Sequence, residues 1–144
     1  MTRECLGFGV LTWNRSERIS DRYGYVALMP EGGNSIASED YLPLNTDGIE
    51  REFGGGKKCQ LVADVIEARE STHIGDLFHG FVPTKPDVGE RIVLGQGMLS
   101  LVPDNGGMMV GLMPFDDRRH FWLDPPMLYR AHEQSVRLWI EVAE

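Results

Sequence analysis

Apolar residues fall along this chain in short runs separated by polar, glycine-rich breaks, and most of those runs repeat with the period of two expected of β-strands. The clearest lies near the end of the sequence, where Val136, Leu138, Ile140 and Val142 alternate with Arg137, Trp139 and Glu141. This predicts a half-buried strand that suits a sheet edge and a sheet interior equally. Residues 59–68 place apolar side chains on both faces, as in Leu61-Val62 and Val65-Ile66, so that strand should be covered on both sides. Residues 6–13 and 23–29 read as two strands around a polar hairpin tip. Residues 91–94 and 98–102 flank Gly95-Gln96-Gly97, which is either a tight turn or a bulge. Asp104-Asn105-Gly106-Gly107 predicts a turn, because Asn and Gly accept positive φ at little cost, and residues 108–115 follow as its partner strand.

Between the strands the pattern is weaker. Residues 31–56 carry six carboxylates (Glu31, Glu39, Asp40, Asp47, Glu50 and Glu52) against the single cation Arg51. Ile36 and the Tyr41-Leu42-Pro43-Leu44 group are the apolar anchors, so this reads as a long loop holding at most one short strand and as the most mobile part of the chain. Residues 73–82 are ambiguous, with Gly75 and Gly80 interrupting either regular structure, and residues 83–90 form a turn. One helix is predicted over residues 125–133, with Asp124 as N-cap and Pro125 at the first helical position. The expected fold class is mainly β, with one or two small barrels (OB-like or SH3-like) or a compact sandwich, and one short helix near residues 125–133. The expected domain is one compact unit over residues 1–144, or a subdivision into an OB-like barrel over 1–72 and a second small β unit over 73–144.

Composition fits a packed domain, with 42% apolar residues in 144. There are 14 Lys+Arg against 22 Asp+Glu, a net charge of -8, which points away from non-specific phosphate binding and towards partners with basic surfaces. No run approaches the roughly 20 apolar residues that span a bilayer, and no apolar signal core opens the sequence, so a cytoplasmic protein without membrane contact is expected. Cys5 and Cys59 are then free thiols acting as small buried hydrophobes.

Catalytic motifs are scarce. No serine sits in a Gly-x-Ser-x-Gly setting. Gly54-Gly55-Gly56-Lys57-Lys58 fails as a phosphate loop, because Arg51 and Lys58 stand where Gly and Ser/Thr are needed. His73, Asp76 and His79 are the one group with metal-ligand or acid–base types, and only a bent loop brings all three together. Asp116-Asp117-Arg118-Arg119-His120 followed by Phe121-Trp122 reads as a hairpin tip, either solvated or a recognition tip in which Arg118, Arg119 and Trp122 supply interface contacts. Trp139, between Arg137 and Glu141 on the polar face of its strand, is expected to be partly exposed. Four methionines of the second half, Met108, Met109, Met113 and Met127, read as core filler.

Gly9-Val10-Leu11-Thr12-Trp13-Asn14 and Tyr23-Gly24-Tyr25-Val26 resemble the opening strand and the first ribonucleoprotein motif of cold-shock domains. The resemblance covers at most the first half of the chain. It implies a five-stranded OB-type barrel that stacks single-stranded bases on Trp13, Tyr23 and Tyr25, with Arg15, Arg18 and Arg22 as a local basic spot. The second aromatic motif of that family is replaced here by Ser35-Ile36-Ala37-Ser38.

Taken together, the sequence favours a non-enzymatic, acidic, β-rich binding module without cofactor that engages a protein partner: an inhibitor, an immunity-type partner or an accessory subunit. Residues 31–56 and then 116–122 are the expected contacts. An OB-like binder of single-stranded nucleic acid is the alternative, and a small enzyme or ligand binder around His73, Asp76 and His79 the second. Homo-oligomerisation is left open.

Overall fold

A computed structural model describes residues 3–15, 24–29, 42, 44–45, 48–69, 84–104, 107–113 and 125–142. For residues 13–15, 24, 25, 27, 29, 100, 102–104, 107–109, 111–113, 125, 126 and 129 it describes the backbone alone. The elements are β1 (Arg3–Arg15), β2 (Gly24–Met29), α1 (Ile49–Phe53), β3 (Cys59–Glu67), β4 (Arg91–Asp104), β5 (Gly107–Met113), α2 (Pro125–Ala131) and β6 (Ser135–Val142). The molecule is mainly β, as the period-2 pattern predicts, and α2 falls where Pro125 opens a helix.

Every ladder is antiparallel, and neighbours follow the order β1-β2-β5-β4-β3-β6, with β6 also paired along β1. The β3–β6 ladder runs from Cys59↔Val142 to Glu67↔Ser135. The β2–β5 seam is a single pair, Val26↔Val110. Because β6 lies between β1 and β3, strands from both halves of the chain share this sheet. The final strand is therefore interior rather than an edge.

One side of each strand builds the core. Leu6 and Leu11 of β1, Val26 and Leu28 of β2, Leu61, Ala63 and Val65 of β3, Ile92 and Leu94 of β4, Val110 of β5, and Val136, Leu138 and Ile140 of β6 form one buried cluster. Each fully buried aliphatic side chain contributes about 1.5–3 kcal/mol of transfer free energy. Leu128 and Ala131 cover it from α2, and Ile49 and Phe53 from α1.

Within the long loop expected over residues 31–56, α1 corrects the end of the span, while residues 31–41, 43, 46 and 47, with the mobility and partner contact expected of them, lie outside the described residues. Ile49 and Phe53 stand four apart, so one helical face carries both into the core. A helix of five residues is too short to show a repeating pattern in sequence, and its polar positions, Glu50, Arg51 and Glu52, mask it as loop. Of the two readings of Gly95-Gln96-Gly97, the bulge is correct: the ladder steps from Leu61↔Gly95 to Val62↔Val93, leaving Leu94 as the extra residue of one continuous strand. A second bulge lies in β1, where the register passes from Cys5↔Trp139 to Gly7↔Leu138. A Cβ at Gly7 would stand 3.0 Å from Leu28 Cδ1, so glycine lets this strand approach the core. Residues 16–22, 73–82, 105–106 and 114–124, on which several sequence expectations fall, lie outside the described residues.

Candidate functional site

Of the residues singled out from sequence, Tyr23, His73, Asp76, His79, Arg118, Arg119 and Trp122 lie outside the described residues, as do Arg18 and Arg22. Trp13, Arg15 and Tyr25 are described as backbone only. Their ladder still carries information. Trp13 pairs with Val26 and Asn14 with Tyr25. Residues directly opposite share a face and successive residues alternate, so positions 13 and 25 belong to opposite faces of the β1–β2 ladder.

The best-defined surface is the side of β1, β6, β3 and β4 that faces away from the core. Registers align it in three rows. Arg3, Glu141, Gln60 and Gln96 form the first, Cys5, Trp139, Val62 and Val93 the second, and Phe8, Arg137, Asp64 and Arg91 the third. Alternation along β6 places Arg137, Trp139 and Glu141 there together, as their sequence pattern predicts.

Glu141 departs from that pattern, because it is fully buried. Gln60 Nε2 donates to its Oε1 at 2.8 Å, and Arg91 Nη1 donates to its Oε2 at 2.6 Å. Arg91 Nη2 donates to Oε1 as well, making a bidentate clamp. Gln96 Nε2 extends the chain to Gln60 Oε1 at 3.0 Å. The hydrogen bonds from Arg91, reinforced by that from Gln60, hold the Glu141 carboxyl below the usual carboxylate range against the opposing effect of burial. Its own hydrogen bonds to Glu141 raise the Arg91 guanidinium. Arg91 starts in the third row and ends on a first-row carboxylate, so its aliphatic stem crosses the middle row, where Val62 is fully buried.

Beside this clamp the surface is open. The Arg3 guanidinium stacks on Trp139, 3.6 Å from the ring centroid, and stands 3.9 Å from Asp64. That separation is an ion pair beyond hydrogen-bond reach. Arg137 is exposed and makes no hydrogen bond or ion pair among the described residues. Across the ladder from it stands Phe8, 52% exposed, which with Val88 is an exposed large hydrophobic residue of the described chain. The signal for Arg137 and Trp139 lies in the β6 alternation. Phe8 and Arg3 carry no such signal, because the bulge at Leu6 changes the phase of β1 between them.

Among the described residues, no group of three His, Cys, Asp or Glu side chains is placed to hold a metal ion. No helix among them is long and apolar enough to cross a membrane. Cys5 and Cys59 are free thiols, with Cys59 buried and Cys5 half-buried. Burial pushes the Cys59 thiol up, and its Sγ donates to the Phe53 carbonyl at 3.2 Å. In comparison with known proteins, no family model, curated protein or solved structure matches the chain.

Proposed function

We propose that this protein is a non-enzymatic, β-rich binding module that engages a protein partner, with its ring of paired strands acting as one small barrel that displays the binding face. The observation that carries this reading is the open surface around Phe8, where an exposed aromatic side chain faces Arg137 across the β1–β6 ladder, beside the Arg3–Trp139 stack. Aromatic and Arg side chains anchored on a rigid sheet are the types that dominate protein interfaces. A cytoplasmic location belongs to the same proposal, supported by two free thiols in the described structure. The alternative of stacking single-stranded bases on Trp13 and Tyr25 needs both on one face, and the β1–β2 register does not favour it.

The test is affinity capture from source extract with the wild-type chain and with a Phe8→Ser/Arg137→Glu variant, quantified by mass spectrometry. A protein retained in stoichiometric amount by the wild type and lost by the variant supports both module and face. Equal retention by both keeps the module and removes this face. No retained protein overturns the reading, and binding of labelled oligothymidylate in that case favours nucleic acid instead.

A further inference from the structure

We infer that the surface formed by Phe8, Arg137 and the Arg3–Trp139 stack binds an acidic segment of a partner protein, in which a carboxylate stands beside an apolar side chain. This rests on the protein-binding reading above and names the chemistry of its partner. The argument begins with donors. Arg91, the third guanidinium of this face, is committed to Glu141. Arg3 and Arg137 are not committed in this way: among the described residues neither donates a hydrogen bond to a carboxylate, although both border Asp64 and Arg3 also stands opposite Glu141. Asp64 lies opposite Arg137 in the β3–β6 ladder and 3.9 Å from Arg3. Counted together, the three guanidinium groups Arg3, Arg91 and Arg137 face the two carboxylates Glu141 and Asp64, a local excess of one positive charge on a chain of net charge -8.

The geometry then selects the anion. A guanidinium stacked flat on an aromatic ring keeps its N–H edges free, and those edges match a carboxylate in a bidentate fork. The same stack covers the Trp139 face that a nucleobase would need. A polyphosphate strand would also meet the net negative charge of the whole chain. A short acidic segment meets mainly the local cations, because charges more than about 8 Å away are screened at physiological salt. Phe8 supplies the apolar half of the contact, with 52% of its surface still to be covered.

The probe is a fluorescein-labelled peptide, Gly-Glu-Leu-Asp-Phe-Glu-Gly, measured by anisotropy against the full chain. Its control is the peptide with Gln and Asn in place of Glu and Asp. Saturable binding of the acidic peptide is expected, with at least about tenfold loss for the amide control and for Arg137→Glu. Arg137→Lys should lose most of that tenfold too, because a point charge does not replace the fork. Phe8→Ser should lose about threefold to tenfold. All three substitutions are at exposed positions, and unchanged urea midpoints show that the variants fold. Absence of saturable binding, equal binding of the amide peptide, or indifference to Arg137→Glu overturns the inference. Tighter, Arg137-dependent binding of oligothymidylate overturns it as well. If the peptide fails while the capture experiment still yields a partner, the acidic-segment inference falls and the module stands; if capture yields nothing, the module reading itself falls.

Discussion

Glu141 was legible in the sequence as a residue of the polar face of β6, but not as a buried one. Its burial depends on Gln60 and Arg91, which lie 81 and 50 residues away, and no local pattern encodes such a pairing. The consequence is a definite pH dependence. Glu141 and Glu90 both have folded-state pKa values below their ordinary value of 4.5, chiefly through hydrogen bonds from Arg91 and from Arg130 respectively. A depressed carboxylate contributes fully to stability above its unfolded value, and the contribution is lost as pH falls through the folded value. Urea midpoints should therefore be level near neutrality and fall progressively below about pH 4.5. Arg91→Ala should cost about 3 kcal/mol by urea unfolding at neutral pH, because it strips the clamp from a buried carboxylate. In that variant the acid decline should be smaller, since the largest cause of the Glu141 shift is gone and burial brings the folded value back towards or above the unfolded one. Stability unchanged by the substitution would show that the pair contributes nothing net.

Elements differ in how far sequence revealed them. The strands with sustained alternation or two-sided apolar runs, β3 and β6 above all, lie where the pattern placed them. α1 was illegible because its only apolar positions are Ile49 and Phe53, and two residues four apart do not establish a period. Its importance is testable. Phe53 is fully buried in the core, so Phe53→Ala should cost about 3–5 kcal/mol in chemical denaturation. A cost near zero would mean that α1 does not seat there. The junction of α2 with β6 depends on Gln134, whose buried amide works as a short piece of ladder. Its Oε1 accepts from the Arg69 backbone N–H at 2.7 Å, and its Nε2 donates to the Arg69 carbonyl at 2.7 Å. On the other side, Leu11 N–H donates to the Gln134 carbonyl at 3.0 Å. Gln134→Leu keeps the approximate size and removes both side-chain bonds, which should cost about 2 kcal/mol. Hydrogen exchange at the end of β3 should accelerate with it, and an unchanged pattern would argue that the amide holds nothing.

At the scale of the molecule, the pairings are uneven. β2 and β5 meet in one pair, whereas β3 and β6 pair along their whole length. Amides of β2 and β5 on that seam should exchange before those of β3 and β6 in native-state hydrogen exchange, and equal protection would contradict the register. The candidate surface spans the same sheet. Sequence showed its β6 column, Arg137 and Trp139, while Phe8 and Arg3 became visible only once the β1 bulge and the long-range β1–β6 register were known. That register has a consequence for synthesis. β1 ends at Arg15 and β6 begins at Ser135, about 120 residues later. At roughly 5–20 residues per second, a ribosome takes about 6–24 s to make the strand that β1 needs on one of its sides. Through that interval Leu6 and Leu11 have no β6 against which to pack, and one edge of β1 has its backbone donors and acceptors unpaired. A nascent chain in that state is a natural client for holding chaperones, and its yield in the cell should respond to translation speed more than its equilibrium stability would suggest.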